Sequence, residues 1–307
     1  MSLTIGLASK YLEGLNKIDK RELCSAKFEN DAMVRTVAGA PAHTVYLATM
    51  EMDALAKYSK SAGYTAGEVG LTWVPKTLEK DRGRKFVIDA VDDIESMGIA
   101  GANLLAEFER TQVIPELDLY RFAKVYTIAN GYNPTSGVGE KVISATISTK
   151  ADALSAFDTA MLNLDNDEVP KEGRTLYCTP AFYSLLRANF DSNRFAAYND
   201  KNLDRNFTVL DGVTIIEVPS GRFNSACTLT DAGGFSATGD GLNFILMHDS
   251  AVIAVRKRNT IKVIEADDNK DADGMQINYR LYHDCFDVPN KGKCIYVHKV
   301  PTPQVGG

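Results

Sequence analysis

Apolar residues recur every three or four positions across Ile5 to Leu23, where Leu7, Tyr11, Leu15 and Ile18 share one face, and this spacing predicts an amphipathic helix. A polar connection separates it from the next element, so the helix is expected to dock on its own domain or on a neighbouring subunit. The pattern then changes to that of strands. "HTVYLATM", from His43 to Met50, predicts one strand, and the Gly- and Ser-rich "YSKSAGYTAGEVG" predicts an exposed loop. Two β-like runs follow, "EVGLTWVPKTLEK" and "RKFVIDAV", separated by Asp81-Arg82-Gly83. That punctuation predicts a hairpin with Gly83 in the turn. Val69, Leu71 and Trp73 alternate along it and make one face apolar, and no partner strand is evident beside it. A protruding β-arm that finds its partner on another subunit fits this pattern.

Helical spacing returns with Ile94, Met97, Leu104, Leu105 and Phe108, predicting a helix from Asp92 to about Arg110. A second helix, "VIPELDLYRFAKVYTIANG", is predicted to open at Pro115 and to end just before Gly131. Its apolar residues lie on most sides, the mark of a buried helix. "STKADALSAFDTAMLNL" carries Leu154, Phe157, Met161 and Leu164 on one face, and "RTLYC" is a short strand. Thr179 followed by Pro180 then marks a helix start in "TPAFYSLLRANF". Beyond about Asn206 the chain reads as strands: "GVTIIEVP", "LNFILMH", "AVIAVRKR", "TIKVIEA", "MQINYRLYHDCFDV" and "KCIYVHKV". Their turns are placed at Arg258-Asn259 and at "PNKGK" with Gly292. Arm, hairpin, helices and a mostly antiparallel sheet make an α+β pattern.

Length and composition narrow the function more than they name it. The 307 residues, 45% hydrophobic, suffice for a sizeable core, and the formal charge of −6 is spread without blocks of one sign. This argues against a nucleic-acid-reading surface and against a polybasic membrane segment. No signal-like or membrane-spanning apolar run occurs, which predicts a cytosol-like compartment. Cys24, Cys178, Cys227, Cys285 and Cys294 are odd in number and widely spaced. They are expected to be reduced, small hydrophobes rather than metal or disulfide partners.

Candidate chemistry is sparse. His43, His248, His283 and His298 fall in no metal or catalytic spacing and are expected to be satisfied structural residues. His283 and Asp284 are adjacent in a strand and point to opposite faces. The glycine-rich "NGYNPTSGVGEK" and "DAGGFSATGDG" do not fit a phosphate loop and are expected to be surface loops. Asp89, Asp92, Asp93 and Glu95 form a small acidic cluster, of which Asp92, Asp93 and Glu95, and likewise Glu116 and Asp118, are expected to fall at a helix start and face its dipole. "ADDNKDADGMQI" has Asn269, Asp271, Asp273 and Gly274 in the spacing of a calcium loop. Its twelfth position, however, is Arg280 and strands flank it, so a polar turn is expected. A metal-dependent hydrolase using Asp89, Asp92 and the acids of 269–273 is the enzymatic alternative. The leading expectation is no catalysis and no cofactor.

Six segments in one order resemble the major capsid proteins of tailed phages, whose shell fold also occurs in encapsulins and herpesvirus capsids. They are "AGYTAGEVGLTWVPKTLEKDRGRKFVIDAVDDIE", "AEFERTQVIPELDLYRFAK", "GRTLYCTPAFYSLL", "DGVTIIEVPSGRF", "FILMHDSAVIAVRK" and "DADGMQINYRLYHDCFDVPNKGKCIYVH". The resemblance covers about residues 25 to 300. It implies an HK-97-like fold with an N-terminal arm and first strand (1–57) and an extended β-hairpin loop (58–90). It further implies a peripheral domain with a long spine helix (91–148 and 249–307) and an axial domain (149–248). The implied function is self-assembly, through hexamers and pentamers, into an icosahedral head shell that encloses double-stranded DNA without reading its sequence. Such a chain would be built in a bacterial cytoplasm and reside in the virion. Scaffold, portal and decoration proteins are the further partners implied, and no membrane is involved. An encapsulin-like compartment is the alternative within the same fold. Inter-subunit contacts are expected at Leu7, Tyr11, Leu15, Val69, Leu71, Trp73, Arg82 and Arg84. Lys57, Lys60, Lys76 and Lys80 lie in or near the loop, and no motif marks any of them for covalent crosslinking.

Overall fold

The computed structural model describes residues 23–29, 44–61, 63–89, 105–134, 139–189, 207–265, 268–269, 274–289 and 291–301. The predicted N-terminal helix with Leu7, Tyr11 and Leu15, the acids at 92–95, and most of the 266–273 turn lie outside them. Among the described residues a 3-10 turn at Ala26–Phe28 comes first, followed by β1 (Thr44–Met52), β2 (Val69–Thr77) and β3 (Lys80–Asp89). A long helix follows, made of a helical turn at 105–108, a π turn at Glu109–Val113 and α1 (Ile114–Gly131). Next come β4 (Val142–Ser144), α2 (Lys150–Asn166), β5 (Arg174–Cys178), α3 (Pro180–Ala188), β6 (Val209–Leu210) and β7 (Val213–Glu217). The chain closes with β8 (Asn224–Leu229), β9 (Phe235–His248), β10 (Val252–Ile264), β11 (Gly274–Asp287) and β12 (Ile295–Lys299). Among the described residues no helix is long and apolar enough to cross a membrane.

A mixed seven-stranded sheet forms the body, in the order β4-β12-β9-β5-β7-β6 with β8 paired to β9. It is covered on both faces, which is why "RTLYC" is buried at every position. Because successive side chains alternate, Leu176, Cys178, Phe244 and Leu246 pack with Phe157, Leu164 and Phe182 of α2 and α3. Tyr177, Ile245, Met247 and Val297 point the other way, against Phe122, Val125 and Ala129 of α1. The caps are built as the residue types require. Thr149 forms a reciprocal capping box with Asp152, and the Thr179 hydroxyl accepts the Phe182 N–H at 3.3 Å ahead of Pro180. One sheet thus joins strands from the segments expected to be peripheral (β4, β12) and axial (β5, β6, β7, β9).

The second sheet, β10-β11-β3, packs Ile261, Ile277, Tyr279 and Leu281 against Leu105, Val113, Ile114 and Leu117. The long helix therefore spans both sheets, with one half on each. The described end of the first predicted helix, 105–110, runs on into the second, so Pro115 does not start the helix. Proline lacks an N–H and its ring crowds the carbonyl four residues back, that of Thr111. Thr111 lies in the wider π turn, which accommodates the proline without breaking the helix.

Two other expectations are corrected. Asp81-Arg82-Gly83 is not a turn: it lies inside β3, paired with Tyr282, Leu281 and Arg280 of β11. Gly83 serves close backbone approach, since a Cβ there would stand 3.0 Å from the Tyr279 carbonyl oxygen. The partner of β2 is β1, in antiparallel register from Thr44↔Thr77 to Met52↔Val69, so the strand next in sequence was the missing one. Arg258-Asn259 is not a turn either, because β10 runs through it with a register shift between Arg256 and Arg258. The expected surface loop "DAGGFSATGDG" is partly strand, with β8 and β9 meeting in a tight turn where Gly233 and Gly234 hold positive φ.

Candidate assembly interface

The β1–β2 ribbon is a two-stranded sheet by itself. Directly opposed residues of an antiparallel pair share a face. The pairs Ala48↔Trp73, Met50↔Leu71 and Met52↔Val69 therefore place six apolar side chains in a double row. Their exposure is large: Val69 70%, Met52 69%, Met50 59%, Leu71 56% and Trp73 38%. A hairpin of this kind is marginal in water, and an exposed apolar double row on it is the surface that association covers. At its tip Ser59 and Gly63 exchange backbone hydrogen bonds of 3.2 and 2.8 Å, with Gly63 at φ +77°. The Tyr58 and Tyr64 rings meet there at 4.9 Å, and Leu55 is fully exposed.

The base of the ribbon is fixed. Val45, Leu47 and Leu78 are buried against Ile253, Val255 and Phe286 of the three-stranded sheet and Val288 just beyond it. Lys76 pairs with Asp287 at 2.7 Å, and the Lys257 ammonium donates to the Thr44 carbonyl at 3.0 Å. At the joint between β2 and β3, the Glu79 N–H donates to Asp284 at 3.0 Å and the Tyr282 hydroxyl to the Leu78 carbonyl at 3.0 Å. A rigid root with an exposed apolar blade is what a docking element needs.

Of the expected contact residues, Val69, Leu71 and Trp73 lie together on that blade. Arg82 and Arg84 stand elsewhere, on β3 beside a cleft of about 620 Å³ between β3, β11, the π turn and the β8–β9 turn. Arg82 grips Glu116 with Nε at 2.8 Å and Nη2 at 3.2 Å, and donates to the Thr230 and Gly234 carbonyls. Arg84 donates to the Ala232 carbonyl at 3.2 Å.

Of the acids expected at a helix start, Glu116 does lie in the first turn of α1, while Asp118 does something else. Asp118 is wholly buried in the second turn of α1 and accepts from Ser25 N (3.0 Å), Ser25 Oγ (2.8 Å), Cys24 N (3.2 Å) and Arg222 (3.4 Å). Arg121, also buried, donates to Ser25 Oγ at 3.1 Å and to Glu29 at 2.6 Å, and Glu29 receives Arg256 at 2.7 Å. This network ties residues 23–29, the entry of the chain into the body, to the helix and to β10. Nothing local in the sequence announces it, since its partners lie about a hundred or more residues apart.

Two titratable groups beside the helix are poorly satisfied. Glu109, in the π turn, receives the Tyr279 hydroxyl at 3.2 Å on Oε1, while its buried Oε2 has no partner among the described residues. Burial pushes its carboxyl up to about 7. His283 is corrected from the expected satisfied histidine: both ring nitrogens are buried without a partner among the described residues, and the ring meets Tyr120 edge-on at 5.4 Å. Burial, with Arg121 nearby, pulls it down to about 3. His248 and His298 do have partners, Ser250 and Asn243.

Among the described residues no three His, Cys, Asp or Glu side chains gather as metal ligands. All five cysteines are free thiols, and burial raises each of them. Of the calcium-like stretch, the Asn269 amide donates to the Gly274 carbonyl at 2.7 Å beside paired β10 and β11, as a polar turn between strands would.

No protein-family model matches the sequence, and no curated protein matches it. Solved structures do. The chain is similar over 89% of its length to 90% of a chain of Mycobacterium phage Che8, with 17% identity and a TM-score of 0.54. It is similar over 87% of its length to 86% of a chain in the capsid structure of cyanophage P-SCSP1u, with 15% identity and a TM-score of 0.61. A chain of the mature capsid of bacteriophage PhiM1 is matched over 82% of its length by 84% of this one, with 14% identity and a TM-score of 0.57. At such identities the likeness is one of fold.

Proposed function

We propose that this chain, which has the HK-97-like shell fold of tailed-phage capsid proteins, is a major capsid protein that assembles with copies of itself into an icosahedral head around double-stranded DNA. The observation that carries the reading is the apolar blade of the β1–β2 ribbon, rooted firmly in the body and open along one face. In a shell it is the extended loop, and a neighbouring subunit covers Val69, Leu71 and Trp73 together with Met50 and Met52. The N-terminal arm adds contacts through Leu7, Tyr11 and Leu15, while Arg82 and Arg84, beside the cleft on β3, belong to a contact separate from the blade. The long helix is the spine, and the segment 149–248 takes the axial place at the centre of hexamers and pentamers. Many such contacts, each modest, close a shell by multivalency. The net charge of −6 suits a wall that encloses DNA without condensing it on its surface. Assembly takes place in the bacterial cytoplasm and the product is the virion.

Electron microscopy of the purified full chain tests this, together with extraction of nuclease-protected nucleic acid. Closed shells of uniform size with protected DNA in virions are expected. A chain that stays monomeric at every concentration, with or without its virion partners, would refute the shell reading. Shells that hold only protein would remove the DNA-enclosing part of it.

A further inference from the structure

The long helix carries a feature that shell building does not require. A π turn interrupts it at Glu109–Val113, and the first residue of that turn is an acid with 1% exposure. A π turn holds one residue more than the α-helix around it. Winding it back to α geometry rotates the segment before it by about 100° about the helix axis. That rotation would swing Glu109 off the face that packs on β11. The position of the carboxyl and the state of the turn are therefore geometrically linked.

The surroundings make the carboxyl sensitive to its proton. Its neighbours Leu105, Val113, Ile277 and Tyr279 belong to one apolar cluster, and the Tyr279 hydroxyl on β11 is its hydrogen-bond donor. The charged groups around it are engaged elsewhere: Arg256 of β10 with Glu29, Arg82 of β3 with Glu116, and Arg110 of the turn itself with Glu107. A neutral carboxyl tolerates the orphaned Oε2; a carboxylate in an apolar cluster does not.

We propose that the π turn at Glu109–Val113 is a proton-operated joint in the long helix: protonated Glu109 keeps the turn closed on β11, and loss of the proton opens it. The direction follows from linkage. Burial raises the carboxyl from 4.5 to about 7, so the closed turn holds its proton where an opened one has lost it. Closure is at full strength below about pH 4.5, weakens as the pH rises, and levels off above about pH 7. Across that window the opening equilibrium grows by up to about 300-fold.

Amide hydrogen exchange of the full chain as purified, corrected for intrinsic rates and read from pH 4.5 to 8, tests this. Protection of residues 105–117 should fall by up to about 300-fold toward pH 7 and then flatten, while β5 shows no such step. Glu109→Gln should hold protection at its low-pH level throughout. Tyr279→Phe removes the donor that favours the carboxylate, so the plateau should move to higher pH, and this arm remains readable if the first variant fails to fold. A flat wild-type profile, a slope that persists in Glu109→Gln, or an unmoved plateau in Tyr279→Phe would each overturn the proposal.

Discussion

Leu71→Asp places a charge in the middle of the ribbon's apolar double row, opposite Met50. The exposed shares of Leu71, Val69, Met50 and Met52 run from 56% to 70%. Full burial of such a side chain is worth about 1.5–3 kcal/mol, so covering all four offers a neighbour about 4–8 kcal/mol per ribbon, with Trp73 in addition. Leu71 accounts for about 1–1.5 kcal/mol of that, and burying an unpaired carboxylate in its place costs several kcal/mol more. The net loss of at least about 3 kcal/mol weakens each contact by about 100-fold or more. Folding is expected to change by no more than about 0.5 kcal/mol, because the side chain is already exposed in the subunit. Sedimentation velocity across a concentration series, paired with thermal melts, separates the two effects. Thr72→Asp, one residue along and on the opposite face, is the control and should barely move the assembly threshold. Assembly of Leu71→Asp at the wild-type threshold would refute the reasoning, and so would an equal defect in Thr72→Asp.

Asp118→Ala should cost about 3–5 kcal/mol in urea denaturation, because it strands the Ser25 and Cys24 N–H groups and Arg222 in the interior. His283 and His298 are held to about 3 and about 4, below the ordinary 6.5, by burial. The unfolded chain therefore binds more protons, and stability should fall as the pH drops from about 6.5 toward 3. His283→Phe, which keeps a ring against Tyr120, should flatten part of that slope in melts taken from pH 3.5 to 7. Cys24, Cys178 and Cys285 should react with a thiol reagent far more slowly in the native chain than in the unfolded one at pH 7.5, since burial raises all three.

Where a local rule and the tertiary environment agreed, the sequence was readable. Thr179-Pro180 capped a helix, Phe157 and Leu164 faced the core, and "RTLYC" formed a doubly covered strand. Reading failed where one residue could serve two purposes. Gly83 looked like a turn glycine and instead lets β11 come close; Pro115 looked like a helix start and instead follows a π turn. The apolar alternation of Val69, Leu71 and Trp73 was visible, but its match with Ala48, Met50 and Met52 was not, because the pairing closes across the residues of the loop tip. The network of Ser25, Glu29, Asp118, Arg121 and Arg256 was illegible for a simpler reason: no spacing rule links charges so distant along the chain.

The order of the strands also bears on how the chain is made. β3 pairs with β11, and β12 fills the place between β4 and β9, so the three-stranded sheet cannot close before Asp287 exists and the seven-stranded sheet not before Lys299. Contacts of such long sequence separation form slowly. The ribbon is different, since residues 44–77 suffice for its own pairing. Synthesis therefore releases the sticky blade first and the body that anchors it last. During that interval the nascent chain exposes its apolar double row with no folded subunit beneath it, and protection from premature association must come from the cell rather than from the fold.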